Sequence, residues 1–267
     1  MKEGLKAFSS DEVAALRISI AFLALAPFLV KHFPNINFKQ NWIGLVLMGA
    51  FGNLIPAFLF TEAETEISSS LTGMLNSLTP LFTILIGILI FKTSVSKFQI
   101  IGVLVGLAGA IALLSLGNNT EQSHNKYYAL LVVAATFCYA ISVNGIRKYL
   151  TGVNSFTAAV GAFSIIGPIA LVYLFSATHF STHLMESPVG LRSFGFICIL
   201  AIFGTAISVI FFNTLVKQAG SVFAASCTYL IPIVAIGWGI LDGENVSPIQ
   251  LISVLIIILG VWLINKK

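Results

Sequence analysis

The sequence predicts an all-α integral membrane protein built from two inverted repeats of transmembrane helices, and three observations predict it. Apolar residues make up 57% of the chain and charged residues 9%, with a mean hydropathy of +0.98; an ordinary soluble domain carries about 25% charged residues. Nine apolar stretches approach the ~20 residues a helix needs to cross the hydrocarbon core. The chain also matches itself at a shift of 152 positions, which brings Pro80 onto Pro232.

The stretches run over 12–30, 42–61, 67–91, 98–116, 127–146, 154–176, 194–216, 219–241 and 246–264. All read as helices, because a segment in lipid must satisfy its own backbone hydrogen bonds and the alternating pattern of barrel strands is absent. The first carries Arg17, the one ionisable residue well inside a stretch. The second opens on Trp42 and runs out into Glu62, Glu64 and Glu66, which read as a solvated loop able to attract cations to a pore mouth. The third and eighth hold Pro80 and Pro232 in mid-run, where a helix-interior proline costs about 3 kcal/mol. Tyr127 and Tyr128 open the fifth, and with Trp42, Trp238 and Trp262 they sit near span ends as interfacial anchors do. Cys138, Cys198 and Cys227 fall inside stretches, where a thiol acts as a small apolar filler. No disulfide framework or CxxC metal site is readable.

Lysine and arginine in the short loops set the orientation, because cytoplasmic loops are enriched in them. With the C-terminus inside, Lys31, Lys39, Lys92, Lys97, Arg147, Lys148, Lys217, Lys266 and Lys267 are inside, nine in all, against Lys2, Lys6, Lys126 and Arg192 outside. All the acids then fall outside as well, Asp11, Glu12, Asp242 and Glu244 among them. An odd number of spans puts the N-terminus outside, although "MKEGLKAFSSDEVAALR" has no apolar region of a cleavable signal peptide.

At the shift of 152, Ser69 falls on Ser221, Thr72 on Ala224, Gly73 on Ala225, Asn76 on Thr228, Thr83 on Ala235 and Gly87 on Gly239. Gly52 falls on Gly204 and Phe60 on Phe212, and after a one-residue slip Gln99 falls on Gln250 and Gly109 on Gly260. Spacings of three and four place the small and polar positions on one helix face. The second copy begins after five spans, an odd count, so the copies cross the membrane in opposite senses. Inverted repeats that meet near the midplane, with helices interrupted by glycine or proline, are a construction of secondary transporters. A proline at membrane depth leaves a carbonyl that protein, water or solute must meet. The two prolines therefore mark either matching bends around a shared cavity or plain packing kinks.

The run from "NLIPAFLFTEAETEISSS" through "LVGLAGAIALLSL", repeated as "GTAISVIFFNTLVKQAG" through "LIIILGVWLI", resembles the paired EamA domains of the drug/metabolite transporter superfamily over almost the whole chain. "DEVAALR" at 11–17 is similar to the start of that family's second helix, and "LDGENVSPIQ" at 241–250 to its link between the last two. The resemblance implies ten helices, two five-helix inverted repeats and both termini in the cytoplasm. It divides the chain into an incomplete first repeat at 1–116, an external linker at 117–126 and a second repeat at 127–267. Two departures stand out: Lys92 replaces the acid that Glu244 supplies in the second repeat, and the first helix has no counterpart before "MKEGLKAFSS". A mis-assigned start codon or a shortened chain is the expected reason.

Polar groups turned to lipid cost energy, so the face through Ser69, Thr72, Asn76, Thr79 and Thr83, with Ser221 and Thr228 opposite, is expected to look inward on a largely apolar central cavity. Pro80 and Pro232 would bend around it, Asn76 and Thr228 would lie near mid-membrane, and the Tyr229 ring would close the pathway. Asn53, Asn144 and Asn213 either bond a solute or link helices. Arg17 lies six residues past Asp11, roughly 9 Å along a helix at 1.5 Å per residue. It either snorkels, pairing with Glu62, Glu64 or helix-end carbonyls, or meets a substrate carboxylate.

No enzyme is expected, since no nucleophile with a base lies at membrane depth. His32, His124, His179 and His183 fall in loops, and the spacing of the last two resembles a metal pair only weakly; no metal or other cofactor is expected. No GxxxxGK[ST] phosphate loop is present, and the net charge of +4 is not clustered as nucleic-acid binding requires. The expected function is alternating-access carriage of a small organic solute across the plasma (inner) membrane, with a homodimer compatible with it. The resemblance implies amino acids, related metabolites or drugs, more often exported. A membrane scaffold or channel-like subunit is the alternative. Without an acid deep in a span, facilitated diffusion is expected in place of a proton relay. The genomic sequence upstream of Met1 is expected to encode, in frame, about 20 apolar residues; an in-frame stop there would instead require a reverse-anchored first span.

Overall fold

The computed structural model describes residues 1–67, 69–116, 126–231, 233–234 and 248–266, and among them there is helix and no strand. In chain order the helices are α1 (Ser10–His32), α2 (Phe38–Glu66), α3 (Ser69–Asn76), α4 (Thr79–Leu89), α5 (Lys97–Leu116), α6 (Lys126–Tyr149), α7 (Ser155–Ala177), α8 (Phe180–Glu186), α9 (Gly190–Ala219), α10 (Ser221–Ser226) and α11 (Pro248–Asn265). Five of them, α1, α2, α6, α7 and α9, are long and apolar enough to cross a membrane. Each of the nine predicted stretches contains helix, but the third is two helices and the eighth is described only to position 234, without Pro232, Trp238 or the acids that follow.

Sequence chemistry accounts for the helix starts. The Asn37 side chain accepts from the Gln40 amide at 3.2 Å ahead of α2, and Asn154 accepts from Phe156 N at 2.9 Å ahead of α7, each meeting an amide that a helix N-terminus leaves unpaired. The Ser9 amide donates to Glu12 Oε2 at 3.0 Å, one half of a capping box on α1.

Two loop assignments need correction. Glu62, Glu64 and Glu66 are not a solvated loop: α2 stays helical to Glu66, and Glu62 accepts the Ser10 hydroxyl. His32 and His183 are helical too, His32 against Thr157 at 3.0 Å and His183 in α8, where its Nδ1 lies 2.8 Å from Glu12 Oε2. Polar side chains at helix ends extended the helices because each found a tertiary partner there.

Apolar packing divides into a main core and a flank. Ile18, Leu45, Met48, Val143, Phe163, Ile166 and Val216 join α1, α2, α6, α7 and α9. The flank is the pair α5 and α11, whose Val103, Ala110, Ile257 and Ile264 gather around Ile84 and Tyr229. These two helices lie backbone against backbone through Gly102, Gly106, Gly109 and Gly260: a Cβ added at Gly260 would sit 2.5 Å from the Gly106 nitrogen, and one at Gly102 would sit 2.7 Å from the Gly260 oxygen. Small residues permit this approach, and close packing is what holds helices together in lipid.

Gly260→Leu is therefore expected to destabilise the fold by about 1–3 kcal/mol or more through overpacking. It should lower the thermal midpoint and the monodisperse yield in detergent, while Gly152→Ala, where an added Cβ meets nothing within 4 Å, leaves both unchanged.

Candidate functional site

The site is built on two pairs of helix irregularities. Backbone bonding in α2 widens to a π-helix over Leu47–Leu54, and in α9 over Ile202–Ile207. The 152-residue shift carries 47–54 onto 199–206, so the widened turns fall at equivalent places, around Gly52 and Gly204. In each, a side chain reaches back five residues to a carbonyl: Asn53 Nδ2 donates to Met48 O at 2.9 Å, and the Thr205 hydroxyl to Leu200 O at 3.4 Å. Those two bonds are also related by the shift of 152. Such π turns are rare and gather at functional sites.

The second pair is a break between α3 and α4 at residues 77–78 and a 3₁₀ turn at Cys227–Tyr229. Pro80 lies in the first turn of α4, so it starts a helix and does not kink one; its missing N–H is an orphan at that position anyway. The Asn76 carbonyl four residues back takes the Thr79 hydroxyl at 2.8 Å. Protein, not solute, meets the group the proline leaves.

Between these irregularities is a cavity of about 370 Å³. Arg17 of α1, Met48, Gly52 and Asn53 of α2, and Thr79 of α4 form part of its wall. Tyr139, Ser142, Val143 and Ile146 of α6 face Gly204, Ser208, Val209, Phe212 and Asn213 of α9, with Thr228 and Ile231 beside them. Gly52 makes room for Ser142, whose Oγ would lie 2.3 Å from an added Cβ. Asn213 Nδ2 lies 3.4 Å from the Met48 sulfur, tying the two widened helices together.

Arg17 donates from Nε to Thr205 Oγ1 at 2.7 Å and from Nη1 to the Met1 sulfur at 3.5 Å. Among the described residues no carboxylate pairs with it. Of the expected partners, Glu62 is engaged by Ser10 and Glu64 acts on Arg17 through charge without an ion-pair contact, while a hydroxyl on a distant helix holds the guanidinium.

Of the residues expected at the cavity, Arg17, Asn53, Thr79, Asn213 and Thr228 line it; Thr72, Asn76, Pro80, Thr83, Asn144, Ser221 and Tyr229 do not. Hydrogen bonds within and between helices hold several of these side chains elsewhere. Thr83 donates to Thr79 O at 2.8 Å, and Asn144 Nδ2 donates to Thr83 O and Ala140 O, both at 2.9 Å, linking α6 to α4. Tyr229 faces away from the cavity: it is fully buried against α5, its hydroxyl donates to Val103 O at 2.9 Å, and its ring lies where a Cβ on Gly106 would be. Pro232 lies outside the described residues. Thr205 is a residue the sequence reading passed over, although the repeat that pairs Gly52 with Gly204 pairs Asn53 with Thr205 one step on. No group of three His, Cys, Asp or Glu among the described residues is placed to hold a metal.

A bundle of apolar helices with a polar-studded cavity between matching helix irregularities is the architecture of a multi-pass membrane transporter. The chain belongs to the EamA-like transporter family, whose model matches residues 1–115 and 126–266. It is 26% identical over 266 residues to the uncharacterized inner membrane transporter YedA of Escherichia coli, covering 98% of this chain and 83% of that one. It is 23% identical over 263 residues to the uncharacterized transporter YyaM of Bacillus subtilis, covering 95% and 84%. A crystal structure of a protein 16% identical superposes with a TM-score of 0.73 over 98% of this chain and 89% of the other, which shows a shared fold.

Cysteine labelling separates the two sets of residues. With Cys138, Cys198 and Cys227 replaced, Thr228→Cys and Phe212→Cys are expected to react with a water-soluble thiol reagent. Tyr229→Cys and Thr83→Cys, on buried packing faces, are expected to stay unlabelled in folded protein.

Proposed function

We propose that this chain is a secondary carrier that moves a small organic solute across the inner membrane by alternating access, in the direction of export. The observation that carries the reading is the cavity itself, walled by α1, α2 and α4 from one half of the chain and by α6 and α9 from the other, at equivalent helix irregularities. A wall divided between two repeats can open to either side by rocking one against the other. The repeats are taken as 1–116 and 127–267, with the lysine-rich helix ends in the cytoplasm. The inner membrane is the location that the name of the Escherichia coli relative supports.

Coupling follows from what the wall offers. No carboxylate is among the described residues that line the cavity, and the buried Glu12 sits at the start of α1 against His183. Facilitated diffusion down the solute gradient is the mode this supports, since proton relays at membrane depth run through acids or histidines.

The test is counterflow in proteoliposomes, using the solute that a metabolite screen of deletion and overproducing cells picks out. Labelled solute is expected to accumulate transiently against unlabelled solute inside, without an imposed pH gradient. A channel or scaffold gives no such overshoot. Thr228→Trp, which fills the cavity, is expected to cut counterflow on the order of tenfold or more, about 1.4 kcal/mol in the barrier, with unchanged folded yield.

A further inference from the structure

We propose that the cavity selects an organic monocarboxylate with a compact apolar body, and that Arg17 is the group that recognises the carboxylate; this rests on the cavity's being the transport site. Among the described residues of the wall, Arg17 carries the only formal charge. A charge held in a low-dielectric wall is costly unless it is paired; the described residues bond the guanidinium through a hydroxyl and a thioether, both neutral, and Glu64, which acts on it through charge, makes no ion pair with it. A solute carboxylate supplies the direct ion pair.

Geometry supports a carboxylate over a point anion. Nε is occupied by Thr205, a buried residue whose own hydroxyl is engaged by Leu200 O within the π turn. That contact fixes the plane of the guanidinium; Nη1 spends one donor on the Met1 sulfur, and the donors left on Nη1 and Nη2 match the two oxygens of a carboxylate. Thr205 is thus a positioning residue. Away from the guanidinium, Met48, Val143, Val209 and Phe212 receive a hydrocarbon body, and Asn53 and Thr79 spend hydrogen bonds on the main chain.

The same wall argues against amines. An ammonium meets no acid among the described lining residues, only neutral oxygens such as those of Ser142, Ser208 and Asn213, so a cationic drug or the amino group of a zwitterion exchanges its hydration for weaker partners beside a like charge. The substrate class is therefore narrower than the amino acids, metabolites and drugs implied by family resemblance.

A matched probe set tests this on the full chain in lipid nanodiscs: phenylacetate, phenylacetamide, phenethylamine and phenylalanine, read by protection of Thr228→Cys from a thiol reagent. Phenylacetate is expected to protect at concentrations at least about tenfold lower than phenylacetamide, as a charge-assisted pair implies, with phenethylamine and phenylalanine weaker still. Arg17→Gln should erase the preference, bringing phenylacetate protection down to the level of phenylacetamide in protein that still elutes as a monodisperse species. Arg17→Lys should keep part of the preference, and Thr205→Val should weaken it. Equal protection by phenylacetate and phenylacetamide in the unsubstituted chain, a preference that survives Arg17→Gln, or no protection by phenylacetate up to its solubility limit each overturns the proposal. Arg17-dependent protection without phenylacetate counterflow would overturn the carrier reading and leave the site. Counterflow of phenethylamine that is indifferent to Arg17→Gln would do the reverse.

Discussion

Inside a bilayer a backbone carbonyl that loses its helical partner finds no water to replace it, and the architecture of this protein is organised around that constraint. Every place where a helix departs from regular bonding next to the cavity has a side chain supplying the missing partner. Asn53 serves Met48 in α2, Thr205 serves Leu200 in α9, and Thr79 serves Asn76 ahead of Pro80. With the backbone satisfied in this way at these three turns, the helices can depart from regular geometry around the cavity that lies between them. The residues that look most like solute ligands in the sequence are, for this reason, often spoken for. Asn53 and Thr79 line the cavity and still direct their hydrogen bonds to the main chain.

Tyr229 anchors the segment beside the cavity to the flank. It follows Thr228, which faces the cavity, yet its own ring is sunk into α5 and its hydroxyl ends on Val103. One residue of helix rotates the side chain by about 100°, enough to pass from the cavity to the flank. Through this contact the segment that carries Thr228 is fastened to the α5 and α11 pair.

Composition and spacing made the helices and the repeat legible, because both rest on local physics: the length of an apolar run and the recurrence of small residues on one face. The 152-residue shift even indexed the π turns, through Gly52 and Gly204. What it left hidden depended on contacts far apart in the chain. Arg17 and Thr205 are separated by 188 positions, and nothing local to either marks the pairing. The acids after α2 looked like loop because acids at a helix end usually face water, but Glu62 had Ser10 to bind. Pro80 looked like a kink in one long helix; the chain instead ended α3 and let proline begin α4, the position where its missing amide is harmless.

The glycine seam between α5 and α11 carries a consequence for biosynthesis. Lys97 opens the first of these helices and Pro248 the second, so translation at about 5–20 residues per second leaves α5 in the membrane for roughly 8 to 30 s before its mate exists. Throughout that interval its small-residue face, Gly102, Gly106 and Gly109, is an open adhesive strip in a crowded translocation site. Closure of this seam therefore waits on α11, and a ribosome stalled short of α11 releases a chain whose glycine face is still uncovered.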